Sequence, residues 1–150
     1  MNGMLLRWFR RRKIIFLSMG DPVIEVINMH QCHDFGKPGD FRCDRETKWG
    51  NPFIMYETRM RDRVCDLYET YLDFAIIPGE EATVRKLLTV GNLTPTQVNM
   101  WMEKMNGHLD INELKGAKRL FCWCAPSRCH CHYLAKTIEN ITTNQEVLNV

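Results

Sequence analysis

Six side chains able to bind a metal or carry thiol chemistry fall within eleven residues near the end of the chain: Cys122, Cys124, Cys129, His130, Cys131 and His132. Thiolate and imidazole are the usual zinc ligands. Cys122, Cys124, Cys129 and His130 form a candidate set because the two pairs need only converge across one short turn. The Cys-x-Cys spacing differs from the two-residue gap of a zinc knuckle, so a metal-free thiol site fits the pattern as well. Cys129 and His130 stand at the predicted start of a helix, where unpaired N–H groups and the positive dipole end stabilise an anion and lower a thiol pKa. They are the candidate catalytic pair, nucleophile and acid/base, with Arg128 beside them as an anion-binding cation. Helical spacing separates the other two. Cys131 shares an apolar stripe with Leu134, Ile138 and Ile141 and reads as a core thiol, while His132 shares the opposite, solvated face with Lys136 and Glu139.

A second group lies early in the chain, where Asp44 and Arg45 precede the run KWGNPF at 48–53. Arg45 and Lys48 are candidate ligands for an anionic group, Trp49 is a plane on which a base or sugar can stack, and Asn51 is an orienting amide. The alternative for the same residues puts Trp49 and Phe53 in the core and leaves the cations solvated.

Both groups need elements to hold them. Residues 23–29 are rich in β-branched side chains and read as a buried strand, and 119–124 (RLFCWC) as a second one, with Cys122 and Cys124 on one face. A further strand is considered at 52–56, after a long irregular stretch at 31–51 whose length points to function or disorder. Apolar spacing predicts helices over 59–74, over 80–90 with Gly91 as its stop, from Thr94 to near Gly107, and over 127–141, with a short one at 110–116. Thr94, Pro95 and Gln97 supply an N-cap, a first-turn proline and a capping-box partner. The fold class expected is α/β, a small, mostly parallel sheet of three to four strands covered by helices.

At 150 residues, with 45% apolar and 25% charged side chains, the composition is that of one ordinary globular domain. The net charge of +2 hides an asymmetry: five of the 20 basic residues lie within 1–18, leaving 15 basic against 18 acidic side chains elsewhere. A body of that sign argues against a broad nucleic-acid surface. The expected organisation is a basic extension at 1–18, disordered or an overlong start, then a single α/β domain at 19–141 and a frayed polar tail at 142–150. Readings of 13–18 as a strand, or of the basic stretch as a membrane-surface contact, stay open, but its apolar run is too short for stable membrane insertion. Seven cysteines without an export signal point to a reducing, cytoplasmic setting in which thiols are not bridged.

The KWGNPF segment, taken with GAKRLFCWCAPSRCH at 116–130 and the intervening helix around Tyr68 and Tyr71, resembles a family of bacterial and phage proteins described as domain of unknown function 4326. The resemblance spans roughly residues 23–141 and implies a short α/β protein with a site shared between the two motifs. Three positions, in two places, depart from the family pattern. Asp44 stands where the family has glycine, and Cys131 and His132 stand where it has Gly-Asp.

The leading expectation is an enzyme-like domain that binds or processes a small anionic, nucleotide- or nucleoside-derived ligand between the KWGNPF loop and the Cys129/His130 helix start. No GxGxxG or P-loop fingerprint accompanies it. A second expectation is a non-catalytic zinc-stabilised module that contacts nucleic acid or a host protein, and a third is a structural or interaction protein using Met100, Met102 and Met105 beside Trp101 as an adaptable surface, although helical spacing puts Trp101 and Met105 in the core.

Overall fold

A computed structural model of the chain describes residues 24–148. The expectations for residues 1–18 therefore lie outside the described part. Three strands, β1 (Glu25–Asn28), β2 (Asp40–Arg42) and β3 (Arg119–Cys122), form an all-parallel sheet in the order β1-β3-β2. Four helices follow the same chain order: α1 (Arg61–Ala75), α2 (Glu81–Val90), α3 (Pro95–Met105) and α4 (His130–Leu148). The α/β class and the small parallel sheet are as the sequence predicts.

β3 is central because its residues tolerate burial on both faces. Leu120 and Cys122 point into the main core, and the intervening Phe121 points to the other side, where the ring of Phe35 meets it edge-on. Helix α4 packs on β1 and β3, α1 packs on α4, α2 on α1 and α3 on α2. Helices thus cover the face that carries Cys122, whereas the irregular segment bearing Phe35 covers Phe121.

The predicted strand at 52–56 is not formed. Pro52 has no N–H, and the N–H of Phe53 is taken by Asn51 Oδ1 at 2.9 Å, so the first two positions of that stretch offer no ladder donor. The third strand is instead β2, inside the stretch read as irregular. Three residues are too few for an alternation to register, and β2 exists because Asp40–Arg42 pairs with the distant β3. The register sets Asp40 opposite Arg119, whose guanidinium grips the Asp40 carboxylate, while the backbone N–H groups of Gly36 and Lys37 donate to the same group.

Helix α1 buries Val64, Tyr68, Tyr71 and Leu72 on the expected face. Helix α3 begins with the full capping box, Thr94 and Gln97 bonding each other's backbone, and ends at Asn106 in the left-handed conformation. Gly91 does follow α2, but its φ of −76° is one that any residue adopts. Its glycine is required for another reason: an added Cβ would lie 2.2 Å from Cε1 of Phe53. Strand β3 stops at Cys122, so Trp123 and Cys124 lie in the turn, and α4 begins at His130 rather than near 127. The helix also continues past 141 to Leu148, its threonines 142 and 143 bonded back to the carbonyls of Ile138 and Glu139. Among the described residues no helix is long and apolar enough to cross a membrane.

Candidate functional site

The end of β3 and the start of α4 converge, as strand-to-helix turns in parallel sheets do. Cys122 closes the strand, Cys129 precedes the helix, and Cys131 lies within its first turn. The three sulfurs lie within 4.8 Å of one another, and each residue is at most 4% exposed. The buried stripe on which spacing placed Cys131 therefore faces the thiol cluster itself.

His130 is held by a residue that sequence reasoning did not mark. Cys43 follows β2, bound to β3 through its N–H to the Phe121 carbonyl, and its own carbonyl lies 2.5 Å from His130 Nε2. A carbonyl only accepts, so Nε2 carries the hydrogen. In the neutral ring the lone pair is then on Nδ1, which lies 3.5 Å from Cys129 Sγ. Burial pushes the His130 pKa down and favours that neutral form. His132 is not a solvated bystander: its Nδ1 accepts from the Cys129 N–H at 3.1 Å and satisfies one of the open donors at the helix start.

The thiols depart from the sequence expectation. The helix terminus predicts a lowered pKa for Cys129, and it is raised instead, because the adjoining Cys122 and Cys124 thiols favour its protonated form and the group is largely buried. Cys131 is raised for the same first reason, the adjoining Cys122 thiol. The counterpart is Cys122, held far below the usual thiol range by the hydrogens of Cys129 and Cys131. Cys124 is lowered to about 6, first by Cys129 and then, against a partial desolvation penalty, by the guanidinium of Arg61.

A cavity of about 200 Å³ opens beside this cluster, lined from the early motif by Asp44, Arg45 and Asn51 and from the late one by Trp123, Cys124 and Cys129. Arg61, at the start of α1, and His130 complete the walls that matter. A second cavity of about 150 Å³ shares Cys129, His130 and Arg128 and extends toward His132 and Lys136.

The candidate ligand-binding residues divide. Arg45 lines the cavity, donates to the Phe53 carbonyl and has no carboxylate partner among the described residues; desolvation lowers its pKa. Asn51 also lines it, but both ends of its amide are committed, Nδ2 to the Val64 carbonyl at 3.0 Å and Oδ1 to the Phe53 N–H. Its role is to tie the loop to α1. Trp49 is in the core, 5% exposed, with its carbonyl accepting from the buried Tyr68 hydroxyl at 2.8 Å. Lys48 turns to Glu113 at 2.5 Å. Neither lines the cavity. Arg128 does, but its guanidinium is shared among Asp62, Asp66 and Glu69 of α1 at 2.9, 2.7 and 3.0 Å, so its charge is already neutralised.

Three contributors were missed. Trp123, 46% exposed, presents the indole that Trp49 does not, and its position between two cysteines of the late motif was the available signal. Arg61 brings a second cation that bonds the Arg128 carbonyl at 3.1 Å; nothing local in the sequence marks it. Asp44 is 5% exposed, with Oδ2 bonded to Arg42 and Trp123 and Oδ1 buried without a partner among the described residues.

A family model described as Domain of unknown function (DUF4326) matches residues 27–140, and the chain belongs to that family. No curated protein and no solved structure matches it.

Proposed function

We propose that this member of the family is an enzyme-like domain whose cavity binds an anionic, nucleotide- or nucleoside-derived ligand. The observation that carries the reading is the pair of cations, Arg45 and Arg61, in a concave site built from both motifs and lined by a half-exposed indole. Arg45, which is partly desolvated, and Arg61 have no carboxylate partner among the described residues, which favours an anion, and their planar forks suit phosphate or carboxylate oxygens. An aromatic face beside them suits a base or another flat ring.

The volume also constrains the ligand. About 200 Å³ encloses a phosphate or a single ring but not a whole nucleotide, so the remainder would extend along Trp123 toward solvent. Cys129 and His130, at the inner wall, are the side chains that a reacting atom of the enclosed part would meet.

Thermal-shift and direct-binding measurements with a panel of nucleosides, nucleotides, ribose phosphates and inorganic phosphate test this. A binding member raises the melting temperature of the wild type by mass action, and Arg45→Ala or Arg61→Ala loses that shift while folding normally. No shift with any member, or a full shift retained by both variants, would overturn the reading.

A further inference from the structure

The thiols carry an inference that does not depend on a ligand in the cavity. We propose that Cys122, Cys129 and Cys131 hold a thiophilic divalent ion of the zinc class, with Cys124 closing the fourth position from the cavity side.

Geometry is the first support. Zinc–thiolate bonds of about 2.3 Å in a tetrahedron set neighbouring sulfurs about 3.8 Å apart. Sulfurs already within 4.8 Å of one another need close by only about 1 Å to reach that arrangement. Their source is the second support. Cys122 comes from the end of a central strand and Cys129 and Cys131 from a helix start, so backbone hydrogen bonding fixes both sides before any ion binds.

Composition is the third. Three thiols and no carboxylate in a site this buried favour zinc over oxygen-seeking magnesium or calcium. Cys124 stands outside the three-sulfur cluster but lies in the turn between Cys122 and Cys129 and lines the same cavity as both, which makes it the fourth ligand at hand. His130 stays outside the ligand set. Its ring lies against two of the sulfurs, 3.5 Å from each of Cys129 and Cys131, and is anchored to the Cys43 carbonyl, the position of an outer group that orients ligands. The competing account is a cluster of small hydrophobes packed as core thiols.

The full chain, purified under reducing conditions without chelator, should carry about one equivalent of zinc by elemental analysis. After metal removal, cobalt(II) should produce the sulfur-to-cobalt charge-transfer and tetrahedral d–d absorptions of a thiolate site, both lost when zinc is added. Cys122→Ser and Cys131→Ser should abolish these signals, Cys124→Ser should retain the ion with a weaker hold against a competing chelator, and Cys65→Ser should behave as wild type.

Wild-type protein that binds neither zinc nor cobalt overturns the proposal and leaves packed thiols. Full occupancy in Cys131→Ser, an unchanged hold in Cys124→Ser, or equal loss in Cys65→Ser overturns the ligand set. Should the serine variants fail to fold, the cobalt titration of wild type still decides.

Discussion

The indole Nε1 of Trp123 donates to Oδ2 of Asp44 at 3.0 Å, joining residues 79 positions apart and fixing the late motif to the early one beside the cavity. Together with the edge-on contact of the His30 ring, 4.7 Å away, the bond aims an aromatic plane on a short surface bend. It also separates the two tryptophans of the motifs into a site residue and a core residue.

Substitution distinguishes them. Trp123→Ala should weaken binding of a ring-bearing ligand and cost about 1.5–3 kcal/mol of stability, the scale of one hydrogen bond to a charged group. Trp49→Ala should cost about 3–5 kcal/mol, as removal of a buried aromatic does. Denaturant melts of both variants, with ligand titrations on whichever folds, read the contrast; equal destabilisation would contradict it.

Asn51→Ala should destabilise by about 1–3 kcal/mol, because it leaves the buried Phe53 N–H unpaired and removes the second partner of the Val64 carbonyl, which keeps its bond within α1. Urea unfolding measures this. A loss below about 0.5 kcal/mol, a level typical of solvated surface sites, would show that the amide does not clamp the loop.

For Gly91→Ala the expected loss is about 1–3 kcal/mol, from overpacking against the Phe53 ring rather than from backbone strain. A double-mutant cycle with Phe53→Leu separates the causes: relief of the clash makes the two substitutions non-additive, whereas additive losses would rule out the contact.

Acid should weaken the fold through Asp40. Hydrogen bonds from Arg119, outweighing the penalty of burial, hold this carboxyl at about 2, below its ordinary value near 4. A depressed carboxyl contributes fully above its unfolded pKa, and the contribution disappears as pH falls from about 4 through about 2. Denaturation midpoints collected between neutral and strongly acidic pH should fall in that window, and Asp40→Asn should flatten the fall. An unchanged profile in the variant would remove Asp40 as its source.

Arg128 and Arg45 should also part company. Arg128→Ala removes a solvent-exposed network worth about 1 kcal/mol or less, with the loss shrinking in high salt, and should leave ligand affinity near wild type. Arg45→Ala should do the reverse. Isothermal titration paired with melts at low and high salt would reveal any exchange of these roles.

How far the fold was legible follows from what made each element. Helices α1 and α3 were legible because their signals are local: an apolar face at 3.6-residue spacing in one, and Thr94, Pro95 and Gln97 in the other. Strand β2 was not, since its existence rests on pairing with β3 rather than on its own three residues. The two motifs were recognisable as one site because the residue types alone suggest it. Which members face the cavity was not recognisable, because periodicity gives no direction in irregular loops. Trp49 and Trp123 have the same chemistry, and only tertiary packing places the first in the core.

By itself, then, the sequence determined the family, the α/β class and the two clusters in which chemistry could reside, for these depend on residue type and short spacing. Tertiary structure decided the rest. It neutralised Arg128 with three carboxylates of α1, brought Arg61 beside Cys124, and turned Cys131 toward Cys122 and Cys129. Charge and hydrogen bonding act through distances of a few ångströms, and residues far apart in the chain reach those distances only once the sheet and helices have packed.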